Sequence, residues 1–145
     1  MNDTLITVLG NVATDPKLRV TATGIKVVDF RLASTERRFD KALNGWRDGK
    51  TIFYTVTCWR NTGENVLESV HKGQPIVVHG RLRDGSYEKE GQMRPVFEVE
   101  AYALGHDLTR GVARFVKASH QPGDRDVVRD DDEPSGTAEV SPSAA

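Results

Sequence analysis

The sequence predicts an all-β fold, a small five-stranded barrel carrying one helix, followed by a tail without structure. Three observations carry that reading. Short runs alternate apolar and polar residues, turn-forming clusters separate them at short intervals, and only one segment has helical spacing. The length, 145 residues, is room for one ordinary domain. Hydrophobic residues make up 37% and charged residues 28%, an apolar share low enough that part of the chain is expected to stay unfolded.

The first strand is expected over residues 4–12, ending at the breaker stretch Thr14-Asp15-Pro16. A second covers 26–34, with Val28, Phe30 and Leu32 on one face and Asp29 and Arg31 on the other. Residues 36–50 are polar and read as a long connecting loop, a feature that is usually functional or disordered. The third strand spans 51–60. Residues 62–72 form the helix, with Thr62 as its cap, Val66, Leu67 and Val70 as a narrow apolar stripe, and Gly73 and Pro75 closing it. A fourth strand follows at 75–83, with an extension past Tyr87 left open. The turn Lys89-Glu90-Gly91-Gln92 precedes a fifth strand over 94–104. Three strands, a helix and two strands is the order of the Greek-key OB barrel, which binds oligonucleotides on its second and third strands and the adjoining loops.

Net charge is −1, but it is divided unevenly. Residues 1–120 carry 18 Lys and Arg against 14 Asp and Glu, and residues 121–145 carry 2 against 7. The end of the chain has no aromatic residue and holds three of the six prolines, so it cannot bury enough apolar surface to offset its ordering entropy. Residues 121–145 are expected to be a disordered acidic tail. The run Asp130-Asp131-Asp132-Glu133 suits either a solubilising tail or one that competes with an anionic ligand for the basic body.

The third strand is the informative one. Its even positions, Ile52, Tyr54, Val56 and Cys58, read as a core face. Its odd positions set Phe53 and Trp59 among Thr51, Thr55 and Thr57. A solvent-facing strand has no need of two large rings whose burial is worth about 2 kcal/mol each, so something is expected to cover them. They stand about 20 Å apart along a strand, enough for each to serve a different base. Rings on an open sheet with cations nearby hold single strands by stacking, a mode that tolerates any base. The cations at hand are Arg19, Arg37, Arg38, Arg47, Lys50, Arg60, Lys72, Arg81 and Arg83. Trp46 and Phe39 in the polar stretch and Tyr87 beyond the fourth strand add further rings. From the residues alone, packing of Phe53 and Trp59 against another element or subunit stays open beside nucleic-acid binding.

No catalytic or metal-binding constellation stands out, so neither an enzyme, a cofactor nor a metal is expected. His71, His79, His106 and His120 lack ligand spacing, and the glycines form no phosphate loop before a helix. The single cysteine excludes an internal disulfide framework. Cys58 reads as a buried thiol, with a disulfide between subunits as the alternative. No apolar run is long enough for a membrane span, and the start, MNDTLITVLG, lacks the pattern of a secretory signal. A cytoplasmic, nucleoid-associated protein is expected.

The segments ITVLGNVATDPKLRVTATG (6–24), VVDFRLASTER (27–37), FYTVTCWRNTGENVLESVHKGQPIVVHGRLR (53–83) and EVEA (98–101) together resemble the bacterial single-stranded DNA-binding protein family, in register over residues 1–105. The resemblance implies an OB-fold subunit in a homotetramer that wraps single-stranded DNA with little sequence preference in replication, recombination and repair. It places Phe53, Trp59 and Tyr87 at the family's stacking positions. Phe39 or Trp46 would take the role of a further ring in the first loop. Arg19, Lys72 and Arg83 match positions that face phosphate. Tyr54 stands where a histidine is common. An RNA-binding or primosome-type module, or an oligomeric protein adaptor, is the alternative. Residues 106–120 resemble an extension of actinobacterial members that adds a strand clasping a neighbouring subunit; beginning the tail is the other reading. Family members typically end in an acidic run and a terminal Pro-Phe that docks repair and replication enzymes. Here the acidic run lacks that terminal ring, so the usual docking is not expected, and the chain reads as a specialised paralogue.

Overall fold

The computed structural model describes residues 2–119. Its strands and helix run in the order β1 (Leu5–Val12), β2 (Lys17–Val20), β3 (Lys26–Asp40), β4 (Gly45–Trp59), α1 (Arg60–Ser69), β5 (Pro75–Asp84), β6 (Tyr87–Lys89), β7 (Gln92–Arg94) and β8 (Phe97–His106). The main sheet has the order β1-β5-β8-β4-β3-β2, and a β1–β3 pairing at Asn11↔Ala33 and Val12↔Leu32 closes it into a ring. Only β4 and β8 run parallel; the other pairings are antiparallel. Five strands, β1, β3, β4, β5 and β8, make the expected OB barrel with the helix between the third and fourth of them.

Inside the ring the two-residue period delivers the expected core. Val28, Phe30 and Leu32 from β3 meet Val56 and Cys58 from β4, with Val8 and Val12 from β1, Ile76 and Val78 from β5 and Val99 from β8. Helix α1 covers one end with Val66, and Val70 follows it into the same core. The helix starts two residues earlier than expected. Trp59, not Thr62, stands at its N-cap, with no side-chain cap bond. It also ends earlier, at Ser69. Val70 turns extended and is 3% exposed, so burying this β-branched side chain outweighs another helical residue. Gln74 then takes the orphaned His71 N–H through its side-chain oxygen at 2.9 Å.

Three features depart from the expectation. Residues 36–50 are not a loop: β3 and β4 continue past the barrel as a two-stranded ribbon paired to Asp40↔Gly45. The turn at its tip is fastened by Asp40 Oδ1, which accepts the N–H of Ala42 at 2.9 Å. Ile52, expected in the core, is 44% exposed because it lies where β4 leaves the barrel. Residues 17–20 form an edge strand on β3, and residues 87–94 form a separate hairpin whose strands contact only each other among the elements.

The last strand ends at His106, and residues 111–119 have no regular structure. Among the described residues, 107–119 form no strand in the single chain; Val112 and Val116 are each 84% exposed and Phe115 90%. A clasp takes its hydrogen bonds from a neighbour, so one chain alone gives this segment no ladder to join. The acidic tail expected over 121–145 lies outside the described residues.

The seam of β5 with β8 brings the two backbones close at the bulge between His79 and Gly80. A Cβ at Gly80 would lie 2.0 Å from the carbonyl oxygen of Glu100, a backbone atom that cannot swing aside. Gly80→Ala is expected to destabilise the fold by at least ~1–3 kcal/mol, the range for overpacking, read as a lower urea midpoint.

Candidate nucleic-acid interface

Directly opposed residues of an antiparallel pair share a face, so the register defines the outer surface of the barrel. Along β3 and β4 it carries Val27↔Trp59, Asp29↔Thr57, Arg31↔Thr55, Ala33↔Phe53 and Thr35↔Thr51. On one side β2 adds Lys17, opposite Asp29, and Arg19, opposite Val27. On the other, β8 sets Glu98 beside Thr55 and Glu100 beside Thr57, and β5 sets Arg83 opposite Glu98 and Arg81 opposite Glu100. The result is one outer face of rings, threonines and charges, open around Phe53 and covered at Val27 and Thr57.

Phe53 is 47% exposed, and the Arg31 guanidinium lies 5.2 Å from its ring centroid, within cation–π range. Trp59 is less open. It is half-buried opposite the fully buried Val27, and its indole N–H is buried without a partner. At the ribbon tip Phe39 and Trp46 meet edge to face, ring centroids 5.5 Å apart, while remaining 49% and 64% exposed. Tyr87, half-exposed, stands on the β6–β7 hairpin opposite Arg94, on a different arm from the other rings.

The cations arrive with counter-ions. Arg19 is bonded to Asp29, and that hydrogen bond holds its guanidinium pKa above the usual value. Arg81 donates to Glu100 at 2.6 Å, with the same effect, and Arg83 lies 3.9 Å from Glu98. Arg37 faces Asp48 at 3.5 Å, Arg38 faces Glu36 at 3.8 Å, and Arg47 donates to Asp40 at 2.8 Å. The Arg47 bond, with the N–H groups of Ala42 and Leu43, holds the Asp40 carboxyl below its usual range. Lys72 makes no ion pair among the described residues; its backbone N–H donates to Asp15 Oδ1 at 2.8 Å, in the turn between α1 and β5.

Of the residues anticipated from sequence, the structure gathers Arg19, Phe53, Trp59 and Arg83 on the barrel face and Phe39, Arg37, Arg38, Trp46 and Arg47 on the ribbon. Lys72 and Tyr87 stand apart. Arg31 and Lys17 were not anticipated. For Arg31 the signal was present, since its alternation with Phe30 and Leu32 already placed it outward.

Among the described residues, no three His, Cys, Asp or Glu side chains are grouped to hold a metal, and no helix is long and apolar enough to cross a membrane.

The Single-strand binding protein family matches residues 2–106. The chain belongs to that family. It is 49% identical over 122 residues to a single-stranded DNA-binding protein of Corynebacterium glutamicum, an alignment covering 83% of this chain and 52% of that protein. It is 44% identical over 120 residues to single-stranded DNA-binding protein 2 of Streptomyces coelicolor, covering 82% and 60%. The chain thus spans between half and two thirds of these curated relatives. The crystal structure of the small single-stranded DNA-binding protein of S. coelicolor superposes with a TM-score of 0.70 at 44% identity, over 77% of this chain and all of that one. A second such protein, from Mycobacterium smegmatis, gives 0.60 at 34% identity, over 80% and 100%.

Within this family member, Cys58 is inside the barrel. It is fully buried, and burial, with a smaller contribution from the Asp29 charge, pushes its thiol up to about 12. A disulfide between subunits through Cys58 is therefore corrected to an inert core thiol, since its sulfur cannot reach another chain without opening the core. A thiol reagent such as DTNB at pH 8 is expected to leave the native protein unlabelled and to titrate one thiol per chain after unfolding in guanidinium.

Proposed function

We propose that this chain binds and protects single-stranded DNA without reading its sequence, by stacking and backbone charge and without catalysis. Bases stack on Phe53, Trp59 and the Phe39/Trp46 pair, with Tyr87 as an outlying ring. Arg19, Arg37, Lys72 and Arg83 neutralise phosphates. The observation that carries the reading is the exposed Phe53 ring under Arg31 on an open barrel face. A ring needed for packing would be covered by the fold, whereas one left open beside a cation suits a base. Family membership and relatives named for single-stranded DNA binding support this over an RNA module or a protein adaptor.

The binding unit is residues 1–105, and it works in the cytoplasm as a homotetramer serving DNA replication, recombination or repair. Assembly is supported by Leu5 and Leu9, exposed at 54% and 56% on the outer face of β1. They flank a strand edge that pairs with β3 only at Asn11 and Val12. An apolar stripe beside an unpaired edge is a surface for other copies.

Phe53→Ala is expected to weaken binding by ~1–3 kcal/mol, equally for oligo(dT) and mixed-sequence strands, with the melting temperature unchanged. Fluorescence anisotropy of labelled oligonucleotides measures it, and unaltered affinity contradicts the stacking reading. Lys72→Ala is expected to lower the slope of log K against log salt by ~0.7, the share of one phosphate on a single strand.

A further inference from the structure

The β3–β4 ribbon contains one irregularity. Between the pairs Thr35↔Thr51 and Arg37↔Asp48, β3 contributes Glu36 alone, while β4 contributes Gly49 and Lys50. Two residues against one is a β-bulge, and one extra residue exchanges the faces of everything beyond it. Counting by twos from Phe53 and Thr51 without a bulge would put Arg47 on the outer face and turn Trp46 to the reverse. With it, Trp46 stands opposite Phe39 and shares the face of Phe53.

Side-chain contacts fix both faces independently. On the outer one, the Thr35 and Thr51 hydroxyls meet at 2.8 Å, Arg37 meets Asp48 at 3.5 Å and Phe39 packs on Trp46. On the reverse one, Arg38 meets Glu36 and Arg47 meets Asp40. Gly49 leaves room for that closure, since a Cβ there would lie 2.6 Å from Glu36 Oε1 and 2.9 Å from Arg38 Cδ.

We propose that the bulge at Gly49 and Lys50 is a positioning device that turns Trp46 onto the face of Phe53 and Trp59. One DNA strand then tracks a single face, from the barrel to the ribbon tip, and Arg38 and Arg47 lie off its path. This rests on the reading that the chain binds single-stranded DNA. The track from Trp59 to Trp46 follows twelve residue steps of β3, about 40 Å. Arg31 on the barrel and Arg37 on the ribbon are its cations. On the reverse face Arg38 and Arg47 are paired within the ribbon, and it offers no ring.

The test uses full-length protein carrying Trp59→Phe, which keeps a ring at that position and leaves Trp46 as the sole tryptophan. Three variants are compared: the exchange Trp46→Arg with Arg47→Trp, a threonine inserted between Asp48 and Gly49, and both together. The exchange moves the indole to the reverse face. The insertion, with the bulge retained, reverses residues 46–48. Combined, they return the indole to the outer face opposite Phe39. Oligo(dT) is expected to quench the parent and the combined variant. Each single change should lose the quenching and weaken binding about tenfold. Quenching that survives either single change, or fails to return in the combined variant, overturns the positioning role. Labelled oligo(dT) anisotropy on the parent separates the two ideas, because absence of binding there refutes the single-strand reading itself.

Discussion

The pairing of β3 with β4 is the constraint on which the rest depends. One antiparallel ladder runs from Val27↔Trp59 at the helix end to Asp40↔Gly45 at the ribbon tip. Its inner face supplies much of the core through Val28, Phe30, Leu32, Val56 and Cys58. Its outer face presents Arg31, Phe53, Arg37 and Trp46. Within the barrel side chains alternate, so the burial that folds it also aims Phe53 and Trp59, while the bulge before Arg37 sets the face of Trp46 beyond it. A slip of one residue in the barrel part of this ladder would bury charges and expose the core.

Charge alone does not explain the face. Arg19, Arg37, Arg81 and Arg83 each hold a carboxylate of this same chain. Of these, Arg37 with Asp48 is exposed on both sides, and such a pair is worth about 0.2–1 kcal/mol, less than the ~1–3 kcal/mol of one stacked base. A strand laid on the rings, on the proposed reading, would therefore exchange Asp48 for its own phosphate at small cost. In the free protein these pairs hold the guanidinium groups along the surface, and on the proposed reading rings rather than net charge would dominate the affinity.

The barrel was legible because its strands are buried on one side, which writes a two-residue period into the sequence. Val28, Phe30 and Leu32 and the even positions from Val56 to Cys58 are plain examples. The ribbon was not legible for the same reason. Residues 36–50 face solvent on both sides, so the alternation that marks a strand is missing and polarity reads as loop. Lys17–Val20 escaped notice as well, being a four-residue edge strand exposed along its length. The partition of Arg37 from Arg38 and Arg47 lay beyond reach, because it depends on a bulge whose place is set by Gly49 against Glu36 and Arg38. Phe53 and Trp59 were placed outward by the two-residue period, but that period says nothing of the half-buried state of Trp59 opposite Val27.

The central claim is that this outer face, with its rings, is where a single strand lies. The most direct measurement is tryptophan emission of the unaltered protein titrated with poly(dT) at several salt concentrations, with duplex DNA as control. The account predicts deep, saturable quenching by poly(dT), weakening as salt rises and absent for the duplex. Unchanged emission at low salt, with the protein nonetheless bound to poly(dT) by anisotropy, would place the strand on another surface and contradict it.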